Sequence, residues 1–272
     1  MAREQSQAPA VPTIPLSTSI TFLLGRKQLL GWSIVLIALT VVLTWTGFLL
    51  TTGIIDHYTA SFFGDGPAHS SWWGWIKYSG WLVAKYLYVL VTRIIAFFLA
   101  FLLAYTLTTP FYSFLSNSAE KIFWGKEFQD DDGFTLAGIA KDLFEGLKIA
   151  LFGILVTVVA LAVGFVPIIG QIAVFLIYTY YSALMFVDYP ASRRRWRLGK
   201  KLQWLRHYSG HTLRLGLIPA AVSMVPLLNV FLLAFIFPLF TVHAALNFSA
   251  VEASRSRRSK LPALEHPAEK KL

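Results

Sequence analysis

Charged residues divide this chain into long apolar runs. None occurs between Lys27 and Asp56, and within that interval Leu29 to Thr52 is long enough for one spanning helix of about 20 residues. A second run, from about Tyr78 to Thr109, is interrupted only by Lys85 and Arg93 and predicts a second long helix. Pro110 opens a polar section ending near Lys148, read as mostly helical. Two further charge-free stretches follow, Lys148 to Asp188 and Arg214 to Glu252. A single helix over the first would be about 58 Å long at 1.5 Å per residue, and the hydrocarbon core is only about 30 Å thick. Each stretch must therefore fold back.

The two stretches carry similar break signals, Val166-Pro167-Ile168-Ile169-Gly170 and Val225-Pro226-Leu227-Leu228-Asn229. Proline removes a backbone donor and starts helices well, while Gly and Asn tolerate turn dihedrals. This weak internal repeat predicts two helical hairpins. The first arm of the second, Leu215 to Val225, would reach only about 16 Å as a helix, so that hairpin should re-enter rather than span. The expected fold is an all-α integral membrane protein with two long transmembrane helices plus two re-entrant, hemi-penetrating hairpins. Its parts are a flexible N-terminal tail (1–15), one membrane domain (16–251) and a basic C-terminal tail (252–272).

Composition agrees. The chain has 272 residues, 56% of them hydrophobic and only 14% charged, and its mean hydropathy is +0.59. A soluble domain carries about 25% charged residues. There are no cysteines, which removes disulfides, thiolate metal sites and cysteine catalysis. Net charge is +10, with the cations clustered in residues 188–214 and after Val251. By the positive-inside rule both segments and both termini are expected in the cytoplasm, and Asp65 outside. Trp72, Trp73, Trp75 and Trp81 suit an interfacial belt.

Several features bear on chemistry. Helices that begin near mid-membrane after Pro167 to Gly170 and Pro226 to Asn229 could offer N–H groups to an anion; equally, they could be helix breaks packed against neighbours. On either reading both turns are expected to be buried in protein. Gly25-Arg26-Lys27 stands before the first spanning helix and suits an oxyanion, or else anionic lipid headgroups. Arg93 lies deep in the second helix, facing a pore or a structural partner. Arg193 to His207 interleaves cations with Trp196, Trp204 and leucines, as a helix lying in the interface would; nucleic acid is not an expected partner. His207 and His211 have ligand spacing but no acidic or thiol companion close in sequence, and Asp130-Asp131-Asp132-Gly133 lacks the alternation of a calcium loop, so no metal or cofactor is expected. No P-loop, dinucleotide fingerprint or nucleophile elbow occurs, so the chain does not read as an enzyme.

The runs Phe165 to Gln171, Asp188-Tyr189-Pro190 and Val225 to Asn229, with Thr109-Pro110-Phe111 and Gly25-Arg26-Lys27, resemble the CysZ-type bacterial sulfate permeases within the larger etoposide-induced membrane protein family. The resemblance covers roughly residues 16–250. Where many members carry Asn and then Glu after the Pro-Phe, this chain has Tyr112 and Asn117, and it keeps Glu120. The resemblance implies sulfate uptake across the bacterial inner membrane for cysteine biosynthesis, with sulfate bound at Gly25, Arg26 and Lys27. It also implies assembly into a homo-oligomer and channel-like transport driven by a gradient. Arg93, Glu120, Pro167, Gly170, Pro226 and Asn229 are the expected pore or hairpin-turn residues. The alternative is a membrane scaffold or assembly protein of the same family, in which the hairpins only pack.

Overall fold

The structure, a computed structural model, describes residues 12–59, 62, 63, 66, 67, 70–128, 136–225 and 228–264. Asp65, Asp130 to Asp132 and Pro226 lie outside the described residues, as does the side chain of Asn229. The described residues form helices α1 (Leu16–Leu24), α2 (Lys27–Thr59), α3 (Trp72–Trp124), α4 (Leu136–Gly164), α5 (Ile169–Arg193), α6 (Leu198–His207), α7 (Ser209–Ser223) and α8 (Leu228–Leu264), with a 3₁₀ turn at Gly125–Glu127. Five segments are long and apolar enough to cross a membrane: Lys27–Thr59, Trp72–Glu127, Phe144–Gly164, Ile169–Arg193 and Ala234–Ser256. The 15 residues of α7 are too few. The chain is an all-helical, multi-pass membrane protein.

Two expected boundaries move. α3 does not end at Pro110 but runs on to Trp124. Proline costs one backbone bond, and a membrane helix tolerates that where neighbours pack around it. Here Tyr112 and Leu115, just past the proline, are fully buried. α7 begins at Ser209 rather than Leu215, because Arg214 keeps its charge at the surface by reaching Thr13 Oγ1 at 2.9 Å.

Two compact units are present, Met1–Leu36 with Thr109–Leu272, and Ile37–Thr108. In the first, α5 packs against α4, α6, α7 and α8. Gly216 of α7 lies so close to α5 that an added Cβ would strike the carbonyl of Thr179. Phe186, Phe237 and Tyr112 form the aromatic centre, with Phe237 4.5 Å from Phe186 and 4.8 Å from Tyr112. Within Ala234–Ser256 of α8, 83% of the apolar window is buried, against 17% in α4, so α8 is the inner helix and α4 an outer one. Asn247 of α8 grips the backbone of Ile14: its Oδ1 accepts the N–H at 2.9 Å and its Nδ2 donates to the carbonyl at 3.1 Å. His243, one turn earlier, meets Ser19 Oγ at 2.7 Å.

In the second unit, α2 and α3 run antiparallel. Gly47 lets Ala100 approach, Phe48 meets Phe97, and Arg93 Nη2 donates to both oxygens of Asp56 at 2.9 and 2.7 Å. Large apolar side chains such as Trp45, Leu50, Val83 and Leu90 point outward, as lipid-facing residues do.

The first hairpin turns at 165–168 as expected. Gly170 is buried where a Cβ would collide with the carbonyl of Val163, so only glycine allows the arms to close. Ile168 takes φ 64°, a rare conformation for a β-branched residue. Pro167, expected inside protein, is exposed in this chain, as are Phe165, Ile168 and Ile169. The tip is an apolar knob, compatible with lipid because its backbone satisfies itself. Ile169 N–H donates to Pro167, Gly170 to Val166 and Ile172 to Ile168.

Candidate anion site and ionic hub

α1 ends at Gly25 and α2 starts two residues later, because Gly25 and Arg26 close the helix with N–H bonds to Thr21 (2.9 Å) and Leu23 (3.3 Å). The first bond of α2 runs from Leu30 N–H to Arg26 O at 3.0 Å. The N–H groups of Lys27, Gln28 and Leu29 therefore begin the helix without an intrahelical acceptor, as first-turn donors do. Arg26 folds back over the Phe22 ring, 3.5 Å from its centroid, and Nη1 donates to Phe22 O at 3.0 Å. That uses one of five guanidinium donors. Lys27 and Gly25 are exposed. The corner thus presents two cations and the positive end of a helix to its surroundings, and the exposed residues whose donors the helix offers are Lys27 and Gln28, not Gly25, whose N–H is used, nor Leu29, which is buried.

The cations of the α5–α6 corner behave differently. Glu120 of α3 is fully buried, and its Oε2 accepts Arg193 Nη2 and Arg194 Nη1, each at 3.0 Å. Arg194 Nη1 also donates to Pro190 O at 2.9 Å. Lys201 of α6 is equally buried; its ammonium donates to Asp188 Oδ1 at 2.5 Å and to Ser192 Oγ at 3.0 Å. Ser192 Oγ donates in turn to Asp188 at 3.0 Å. Glu145 of α4 stands 3.8 Å from Lys201 and takes Lys148 at 2.6 Å. Four helices are thereby tied through charges, and removing one member of such a pair strands the other out of water.

The turn between α5 and α6 is a Schellman closure: Arg195 N–H donates to Ser192 O at 2.7 Å and Trp196 N–H to Ala191 O at 3.1 Å. Its left-handed position, usually glycine, holds Arg195 at φ 53°. The left-handed conformation costs a non-glycine residue about 1–2 kcal/mol. A cavity of about 470 Å³ lies at this corner, lined by Glu145, Lys148, Ser192, Arg195, Trp196 and Arg197, with Leu198 and Gly199 of the first α6 turn.

Of the residues singled out in sequence, Glu120 joins the hub and Arg93 joins Asp56 in the other unit. Pro167 and Gly170 shape the first hairpin turn, and Asn229 falls in the first turn of α8. The stretch Arg193 to His207 is not simply an interfacial helix: Arg193, Arg194 and Lys201 are committed to carboxylates inside the protein. Sequence reasoning missed Asp188, Glu145 and Lys201 as partners. The available signal was Asp188 itself, the first charge after a long apolar run, with a lysine 13 positions on.

This is the anatomy of a helical membrane protein with a basic surface corner and an internally neutralised polar hub. The chain belongs to the Sulfate transporter CysZ/Etoposide-induced protein 2.4 family, whose model matches residues 16–234. It is 26% identical over 170 residues to a Sulfate transporter CysZ of Pseudomonas paraeruginosa, covering 60% of this chain and 67% of that one. The same name is carried by a Pseudomonas aeruginosa protein, also 26% identical with the same coverage. A Pseudomonas fluorescens protein of that name is 22% identical over 174 residues, 61% of this chain and 67% of its own.

Proposed function

We propose that this chain is a sulfate permease of the bacterial inner membrane, feeding cysteine biosynthesis, and that sulfate is held first at Gly25, Arg26 and Lys27. The observation that carries the reading is the α1–α2 corner of a chain in this family: two adjacent cations, Arg26 half-buried and Lys27 exposed, beside the first-turn N–H groups of the exposed residues Lys27 and Gln28. Sulfate is a compact dianion that needs several donors and two compensating charges, and charge-assisted hydrogen bonds contribute about 1.5–3 kcal/mol each. Gly25 keeps the corner open to the ligand.

α2 and α3 are the two full spans in this reading, and the α4–α5 and α7–α8 hairpins re-enter, α7 being short of a crossing at 15 residues. Arg93 in one unit and, taken separately, Glu120, Pro167, Gly170, Pro226 and Asn229 in the other are the pore or hairpin-turn residues of this reading. Both termini lie in the cytoplasm, anionic lipid surrounds the basic segments, and copies of the chain assemble into a homo-oligomer.

The test is labelled sulfate flux into liposomes holding the purified protein, beside sulfate binding to Arg26→Ala/Lys27→Ala protein. Flux above empty liposomes, and binding at least tenfold weaker in the double variant, are expected; a factor of ten corresponds to 1.4 kcal/mol. A well-folded protein that passes no sulfate leaves the scaffold reading. Flux with unchanged affinity in the variant removes the site from this corner.

A further inference from the structure

The guanidinium of Arg26 is held by a residue that the sulfate reading above does not use. Phe22 stands one helical turn earlier on α1 and is half-buried. The guanidinium carbon lies 3.5 Å from the centre of the Phe22 ring, and Nη1 donates to Phe22 O at 3.0 Å. The ring face and the backbone carbonyl of one residue thus hold the same group from two directions. Both contacts leave the edge of the guanidinium fork usable: four of its five N–H donors have no partner among the described residues. Lys27 is exposed, and its ammonium is a point charge on a flexible stem.

The shelf under Arg26 is itself anchored. α1 has only nine residues, and a helix of that length is marginal in isolation. It packs on α8 with Ser19 and Leu23 on its buried face. Ser19 Oγ meets His243 Nδ1 at 2.7 Å, and just upstream Asn247 holds the backbone of Ile14 at 2.9 and 3.1 Å. Ser19, His243 and Asn247 are all buried. Phe22 lies between these fastenings and Gly25, so α8 fixes where the ring stands.

We infer that Phe22 is a positioning residue for sulfate: its ring orders the Arg26 guanidinium beforehand, so that the edge donors meet the oxyanion in place. The inference rests on the sulfate reading and adds a residue to it. Arginine stacks on an aromatic face while keeping its edge for two-pronged recognition. An arginine held by nothing has much rotamer freedom to lose on binding, and that loss weakens affinity. A lysine at position 26 would lie over the ring with the same ammonium that must meet the anion.

The experiment is calorimetric titration of sulfate into the purified full chain, with thermal unfolding of each variant measured beside it. The variants are Phe22→Leu, Phe22→Tyr, Arg26→Ala and Phe22→Leu/Arg26→Ala. Phe22→Leu is expected to weaken sulfate about fivefold, the size of a cation–π contact at a half-exposed site. Phe22→Tyr keeps the ring and should bind as the parent does. Once Arg26 is alanine, Phe22→Leu should change nothing further, whereas a ring that acts only on folding would act equally in both backgrounds. Parent-like affinity in Phe22→Leu, an equal loss in Phe22→Tyr, or an undiminished loss in the Arg26→Ala background overturns the inference. Should Phe22→Leu fold poorly, Arg26→Lys keeps the charge and loses the flat stack; it should weaken sulfate, and parent-like affinity there overturns the inference too. Unchanged affinity in Arg26→Ala/Lys27→Ala removes the sulfate corner and the shelf together. A loss in that variant with none in Phe22→Leu removes the shelf alone.

Discussion

At the α1–α2 corner a glycine in ordinary helical geometry precedes two cations that stay at the surface. At the α5–α6 corner an arginine takes the glycine-type conformation, and two of its arginine neighbours turn inward onto Glu120. In sequence both are short basic turns between helices. What separates them is a carboxylate 73 positions from Arg193. A basic cluster without an internal partner remains available to outside anions, while one with a partner becomes part of the scaffold. The first kind of corner is where ligand binding and stability can be altered independently; at the second they are coupled.

The largest expected effect follows from Glu120→Ala. Two arginines would be left facing a buried gap, and breaking a buried pair costs about 3–5 kcal/mol. Thermal unfolding of the purified protein in detergent measures it; a loss under 1 kcal/mol would mean that water already reaches the guanidinium groups, and the contrast between the corners would collapse. Next comes Lys201→Met, which takes the ammonium from Asp188 and, among the described residues, leaves it the hydroxyl of Ser192. The single change is expected to cost several kcal/mol and the double Asp188→Asn/Lys201→Met to recover a good part, as replaced ion pairs do. Additive losses in that cycle would show that the pair is not coupled.

Smaller effects sharpen the same contrast. Arg195→Gly releases a left-handed backbone worth about 1–2 kcal/mol, and its net effect is that gain less what the arginine side chain's own interaction contributes, so it is expected to fall well short of the Glu120→Ala loss. Arg26→Ala/Lys27→Ala should cost no more than about 1 kcal/mol, the worth of the Arg26 bond to Phe22 O, since Lys27 is exposed, while changing sulfate affinity. Equal destabilisation at the two corners would be the contrary result. The smallest effect concerns His211, whose ring touches Thr13 at 3.4 Å. Burial, the main cause, holds its imidazole below the ordinary 6.5, and Arg214 acts in the same direction against a raising bond from Pro12. The neutral ring is thus favoured in the fold. Its contribution is fully present above about pH 6.5 and is lost as pH falls through the lower folded value. The protection factors of the Thr13 and Ile14 amides, corrected for the intrinsic pH dependence of exchange, should fall slightly on acidification, and His211→Gln should abolish that dependence.

Charge-free intervals were enough to place α2, the long apolar part of α3 and the arms of both hairpins, because hydrocarbon excludes charge whatever the tertiary contacts. They were not enough at Pro110, where burial of Tyr112 and Leu115 carries the helix past a residue that usually ends one. Nor could they show that Lys201 is buried: a lysine in a basic run looks solvated until Asp188 and Glu145 are known to face it. The α1–α2 corner was legible because all its parts are adjacent in sequence. The hub was not, because it joins α3, α4, α5 and α6, and single-sequence periodicity carries no information on which distant charges meet.

The grip of Asn247 on Ile14 joins residues 233 positions apart. During synthesis at about 5–20 residues per second, α1 must wait roughly ten to fifty seconds for its holder to be made. The order of birth therefore opposes the order of closure: α1 is made well before it is fastened, and α8 arrives as its late key. A chain stopped before Asn247 would leave its own beginning loose, which gives quality-control proteases a direct way to distinguish a finished copy from an interrupted one.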